Sequence, residues 1–131
     1  MTLVGGTTVL VDTSVWVDHF RQRNEILVDL LERDRVIAHP LVVGEMACGT
    51  PPQRARTLAD LASLRQAHQA SIREMMDCIE RQRWFGLGCG LIDLMLLCST
   101  LLTPSTQLWT FDRRLNALAK QVGVNFGVGV H

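Results

Sequence analysis

The sequence predicts an α/β domain built on a small, mostly parallel sheet of four or five short strands with helices on both faces. Uncharged runs rich in β-branched and aromatic residues at Thr7–Val11, Val36–His39 and Gln107–Phe111 have the length and composition of buried strands, and segments with helical repeats separate them. Strands divided by helices must run parallel, because only a crossover brings the chain back to the same sheet edge. The length of 131 residues, 47% of them hydrophobic, suits one compact domain with a real core.

Each element has a local reason. After the first strand, Asp12-Thr13-Ser14 supplies capping side chains for a helix running to about Arg21. Asn24 caps a second helix, whose Ile26, Leu27, Leu30 and Leu31 repeat at helical spacing. The strand Val36–His39 stops at Pro40, a residue suited to the first turn of the next helix, Leu41 to Cys48, which ends at Gly49 and Pro51-Pro52. Arg54 to Gln66 reads as a polar, arginine-bearing amphipathic helix, and Ile72, Met75, Met76 and Ile79 mark another. Leu91 to Leu102 is apolar on every side, as a central buried helix is. The last strand leads to a helix from Asp112 to Lys120, and Val124-Asn125-Phe126 is expected to add an edge strand.

Composition narrows the function. Thirteen basic residues against 13 acidic ones exclude a uniformly basic nucleic-acid coat, and a mean hydropathy of +0.16 excludes a disordered chain. The basic set is twelve arginines and one lysine, and arginine is the better fork for phosphates. No basic residue precedes Arg21, and the longest apolar segment is shorter than a membrane span, so a cytoplasmic protein is expected. Cys48, Cys78, Cys89 and Cys98 lack zinc-type spacing and read as small buried hydrophobes.

Four acids stand in apolar company. Glu45 is the only charged residue between Val36 and Gln53, and Asp93 the only one in the 28 residues from Trp84 to Phe111. Asp12 ends an uncharged opening, and Asp112 follows the strand Leu108-Trp109-Thr110-Phe111. A carboxylate in low dielectric needs a cation, a set of donors or a raised pKa. Asp12 and Asp112 fall at the carboxyl ends of parallel strands, where α/β sheets place their sites, while Glu45 and Asp93 lie on helices able to lean over that edge. Carboxylates without histidine or thiolate suit Mg²⁺ or Mn²⁺, which points to phosphodiester or phosphate hydrolysis. A bland reading stands beside this one: Asp12 and Asp112 can be helix caps, and Glu45 can face solvent.

Taken in order, Val11-Asp12-Thr13-Ser14-Val15-Trp16, Glu45, Ile92-Asp93 and Leu108-Trp109-Thr110-Phe111-Asp112 form a series that resembles the PIN-domain ribonucleases, with the size of the toxin of a VapBC toxin–antitoxin pair. The resemblance spans Val9 to Asp112. It implies one PIN-like nuclease domain over residues 1–131, acting as an endoribonuclease dependent on Mg²⁺, or alternatively Mn²⁺, on RNA of the tRNA or rRNA class. It also implies a homodimer silenced by a VapB-type antitoxin. Residue by residue, Asp12, Glu45, Asp93 and Asp112 match the acidic metal positions, and Ser14 and Thr110 the hydroxyl positions beside the first and fourth acids. Some PIN domains carry a further acid after the fourth; here Arg113 and Arg114 follow, which favours one well-held ion and suggests phosphate contacts.

Other residues have competing readings. Arg54, Arg56 and Arg65 read as a solvated helix face or as a stripe facing RNA or antitoxin, and Trp16 and Trp109 as core. Trp84 and Phe85 are candidates for a partner interface, and Leu58, Leu61 and Leu64 for apolar surface offered to another chain. The four histidines, at 19, 39, 68 and 131, are assigned no chemistry. Two other functions compete: a non-catalytic interaction module, and a metal-dependent phosphatase of the haloacid-dehalogenase type, which needs an acid where Ser14 stands.

Overall fold

The computed structural model of the chain describes residues 6–127. Its elements run β1 (Thr8–Val11), α1 (Thr13–Arg21), α2 (Glu25–Glu32), β2 (Val36–Ile37), α3 (Pro40–Ala47), α4 (Arg54–Ser63), α5 (Ile72–Gln82), α6 (Leu91–Leu102), β3 (Thr106–Trp109) and α7 (Arg113–Gln121). The strands form one parallel sheet in the order β2-β1-β3, with Leu10 of β1 level with Ile37 on one side and Leu108 on the other. Every residue of β1 is buried, and since successive side chains point to opposite faces, both faces of the sheet are covered.

The α/β class and parallel sheet are as the sequence predicts, but the described residues hold three strands rather than four or five. At each edge the place of a further strand is taken by a single bridging residue, Gln66 beside Ala38 and Asn125 beside Leu108. Val124-Asn125-Phe126 therefore gives one bridge, held by Leu108 N–H to Val124 O and Phe126 N–H to Leu108 O, and not a strand. The second strand stops at Ile37 instead of His39, because His39 turns to cap α3: its Nδ1 accepts from Leu41 N–H at 3.0 Å, with Pro40 in the first turn. The arginine-bearing helix ends at Ser63, short of Gln66, whose backbone joins the sheet edge.

The two central layers meet along α6, where an unbroken buried run from Leu94 to Thr100 packs in the same core as Val9, Leu10, Val11 and Leu108. Ser99 Oγ ties three segments: it lies 3.1 Å from His39 Nε2 and accepts from Ala70 N–H at 3.0 Å. With Nδ1 occupied as an acceptor, His39 carries its proton on Nε2 and donates to Ser99. His39, assigned no chemistry from the sequence, thus sets the start of α3, the helix that carries Glu45.

Trp16 and Trp109 are core residues, as expected. Trp84 is buried too, which removes it from any partner surface and leaves Phe85 exposed beside it. Of the cysteines, Cys78 and Cys98 are buried as expected, whereas Cys48 is exposed and Cys89 half-buried. Arg54, Arg56 and Arg65 are all exposed, as a solvated face requires; Arg54 also donates to the carbonyls of Ala47 and Gly49 past the end of α3, and Arg65 to that of Asp34. Leu61 is buried and Leu58 and Leu64 pack against the core, which leaves little apolar surface on α4. No helix of the described residues is long and apolar enough to cross a membrane.

Candidate active site

The chain leaves β1 for β2 on one side and returns to β3 on the other, so the carboxyl ends of β1 and β3 form the switch point at which parallel sheets open a crevice. Asp12 directly follows β1, and its N–H donates to Trp109 O at 2.9 Å, fixing it against the end of β3. Thr110 and Asp112 follow β3. All three sit at one sheet edge.

Asp12 occupies the N-cap position of α1 yet makes no side-chain cap bond. Its Oδ2 accepts instead from Ser14 Oγ at 2.8 Å and from Thr110 Oγ1 at 2.7 Å. Each hydroxyl is in turn held by a backbone donor: Phe111 N–H to Ser14 Oγ and Asp112 N–H to Thr110 Oγ1, both at 3.0 Å. The hydroxyl protons are therefore directed at the carboxylate, because the oxygens are already acceptors for the peptide groups. Asp12 is 6% exposed and Thr110 1%, so these charge-assisted bonds act in a largely dry setting. Among the described residues nothing donates to Asp12 Oδ1. One oxygen is anchored and the other is left to the crevice.

Glu45, half-buried on α3, accepts from Thr13 Oγ1 at 2.7 Å. Thr13 is a site-shaping residue that sequence reasoning treated as a cap alone; the signal was two adjacent hydroxyls in a first helical turn, which must point in different directions, here to Glu45 and to Asp12. Asp112 does cap α7, its Oδ1 accepting from Leu115 N–H at 2.9 Å, so the bland reading of this residue is correct as far as that oxygen goes.

Asp93 lies in the first turn of α6, next to the buried run and not inside it. Its carboxyl is held above the usual carboxylate range, first by burial and then by the negative charges of Asp12, Asp112 and Glu45; the Gly90 backbone N–H opposes the shift. Asp12, Asp112 and Glu45 are therefore each within electrostatic reach of Asp93. The ion pairs of the described residues, Arg23–Glu25, Arg33–Asp29 and Arg56–Asp60, involve none of the four. A cation or a proton taken up beside Asp93 would relieve the repulsion it feels from these neighbours.

No three His, Cys, Asp or Glu side chains of the described residues stand close enough to enclose an ion by themselves. An ion such as Mg²⁺ is commonly held through only one or two carboxylates and keeps its other positions for water and phosphate oxygens. A donor set of carboxylate oxygens alone suits such an ion. A cavity of about 460 Å³ opens beside Glu45 and Thr13, walled by Val17, Phe20 and Met46 with Arg21 on its lining. Of the two arginines expected to contact phosphate, Arg113 is exposed, while Arg114 reaches over Gly88 towards its carbonyl, 3.5 Å away.

Comparison with known proteins agrees with this fold. The PIN domain family model matches residues 9–121. Ribonuclease VapC32 of Mycobacterium tuberculosis, in two strains, is 41% identical over 116 residues, covering 88% of this chain and 94% of the relative. The crystal structure of PAE2754 from Pyrobaculum aerophilum superposes with a TM-score of 0.56 at 15% identity over 86% of this chain and 79% of that one, a likeness of fold. The chain belongs to the PIN domain family and, within it, to the VapC-type ribonucleases.

Proposed function

We propose that the chain, over residues 1–131 as one nuclease domain, is the toxin of a type II toxin–antitoxin pair: a Mg²⁺-dependent endoribonuclease, able to use Mn²⁺, that hydrolyses RNA phosphodiesters. The observation that carries this is Asp12, a residue in a cap position whose carboxylate ignores the helix and is clamped by Ser14 and Thr110 at the mouth of a crevice shared with three more acids. A scaffold has no use for this arrangement. The phosphatase alternative lacks the second acid two residues after the first, where Ser14 stands.

Asp12, Glu45, Asp93 and Asp112 would hold the ion, which when bound supplies a water of lowered pKa and offsets charge building on the phosphate. Ser14 and Thr110 fix Asp12 in direction, and Thr13 does the same for Glu45. Arg113 is placed to meet a phosphate of the RNA strand. Arg114 would share that role only by leaving Gly88.

The same reading includes RNA of the tRNA or rRNA class as substrate, a VapB-type antitoxin, a homodimer and a cytoplasmic location, and the likeness to a ribonuclease named as a VapC supports it. With the four crevice acids set aside, the remaining charge is net basic, which favours RNA approaching one pocket. Exposed Ile72, Met76 and Phe85 offer apolar surface for another chain. Calorimetry with Mn²⁺ tests the metal reading: one site is expected in the parent and none in Asp93→Asn, and identical heats for the two would reject it. Coexpression with the neighbouring small open reading frame is expected to give a stable complex that no longer cuts RNA; a freely active protein would reject the toxin–antitoxin assignment.

A further inference from the structure

Two thiols meet where α5 packs on α6. Cys78 and Cys98 are 3% and 0% exposed, and their Sγ atoms lie 3.2 Å apart with the Cys98 S–H donating to Cys78. Arg81, almost one turn further along α5, donates from Nη2 to the same Cys78 sulfur at 3.3 Å. Cys78 thus accepts from a thiol and a guanidinium at once. Cys98 is the proton-bearing member: burial and its bond to Cys78 push its thiol up to about 12. A covalent bond of about 2.05 Å requires the two sulfurs to approach by only about 1 Å. Neither Cys48 nor Cys89 shares this contact.

We propose that Cys78 and Cys98 form a redox-modifiable dithiol site, which a small peroxide converts to an intramolecular disulfide joining α5 to α6. The Cys78 sulfur attacks one peroxide oxygen, the O–O bond breaks, and a sulfenic acid forms while the other oxygen leaves as water. The Cys98 sulfur then displaces the sulfenic hydroxyl, which departs with the Cys98 proton as a second water. Two thiols give up two electrons and two protons, and one peroxide becomes two waters. The burial of both sulfurs confines the oxidant to a molecule the size of hydrogen peroxide. The bond closes the segment from 78 to 98, which contains the Gly86–Gly90 turn and Asp93, so oxidation stiffens the element that delivers an acid to the crevice.

The test treats the full chain with a few equivalents of hydrogen peroxide, followed by intact mass, thiol titration under denaturing conditions and a non-reducing digest. The expected result is a loss of about 2 Da, the two thiol hydrogens, and a fall from four titratable thiols to two, with a Cys78–Cys98 linked peptide. Dithiothreitol restores all four, and the oxidised form melts about 5 °C or more higher. Arg81→Leu is expected to slow the reaction at least about threefold while giving the same link; an unchanged rate would remove Arg81 from the site. Oxidation to sulfinic acid without a link, or a link mapping to Cys48 or Cys89, overturns the proposal. Since the mapping is made on the unaltered chain, it does not depend on any cysteine variant folding.

Discussion

Asp93→Asn should make the protein more stable in the absence of divalent ions. Asp93 carries its charge into a partly desolvated first turn and faces Asp12, Asp112 and Glu45, with the Gly90 N–H opposing the resulting shift. Asparagine keeps an acceptor oxygen for that N–H and removes the charge. One like-charge pair about 8 Å apart at an effective dielectric near 20 repels by roughly 2 kcal/mol, an upper bound that solvent at a half-buried site reduces several-fold. Summed over the three neighbours, a gain of about 1 kcal/mol is expected, or a rise in Tm of about 3–5 °C for a chain of this size. Thermal unfolding followed by circular dichroism in EDTA at low salt reads it directly. Added Mg²⁺ should reverse the order: at ten times the Kd an ion stabilises the parent by about 1.4 kcal/mol and leaves the variant unmoved. If Asp93→Asn lowers Tm in EDTA, Asp93 is a structural acceptor and the reasoning fails.

Thr110→Val removes the proton directed at Asp12 and strands the Asp112 N–H, so a loss of about 2 kcal/mol in stability is expected, together with a large fall in RNA cleavage. Ser14→Ala should cost less, and urea unfolding of the two single variants and the double variant should reveal coupling through the shared Oδ2. Gly88 has φ +86 and lies under the Arg114 guanidinium, where an added Cβ would meet Nη1 at 2.5 Å. Because that side chain can swing away and the backbone cannot, Gly88→Ala should cost about 1–2 kcal/mol equally in the parent and in an Arg114→Ala background. Burial lowers the pKa of His39 from 6.5, so the unfolded chain binds the extra proton first and stability should fall as pH drops below 6.5, levelling off below the folded value. His39→Asn, which keeps a capping acceptor, should flatten part of that slope in denaturant titrations from pH 7.5 to 5.

Much of the fold was legible because its signals are local. Uncharged β-branched runs, Asn24 and Pro40 each act within a few residues. The sheet was overcounted because Gln66 and Asn125 pair through backbone alone over one residue, which no side-chain pattern records. Among the acids, isolation in apolar sequence drew attention to the right positions, since desolvation is legible as missing neighbours. What sequence could not give is direction: that Asp12 turns from its helix to Thr110, 98 residues away, or that Thr13 and Ser14 diverge. His39 was passed over for the same reason, as its partner Ser99 is 60 residues distant. Trp84 looked like surface because its neighbours Phe85 and Gly86 are.

The central claim, that four carboxylates converge to hold a divalent cation for RNA hydrolysis, is tested most directly by single-turnover cleavage of a structured RNA across a Mg²⁺ titration with the parent and Asp93→Asn. The account predicts a parent rate that rises and saturates with Mg²⁺ and vanishes in EDTA, beside a variant at least about 100-fold slower at every concentration. Parent cleavage that persists in EDTA, or a variant that cuts as fast as the parent, would contradict it.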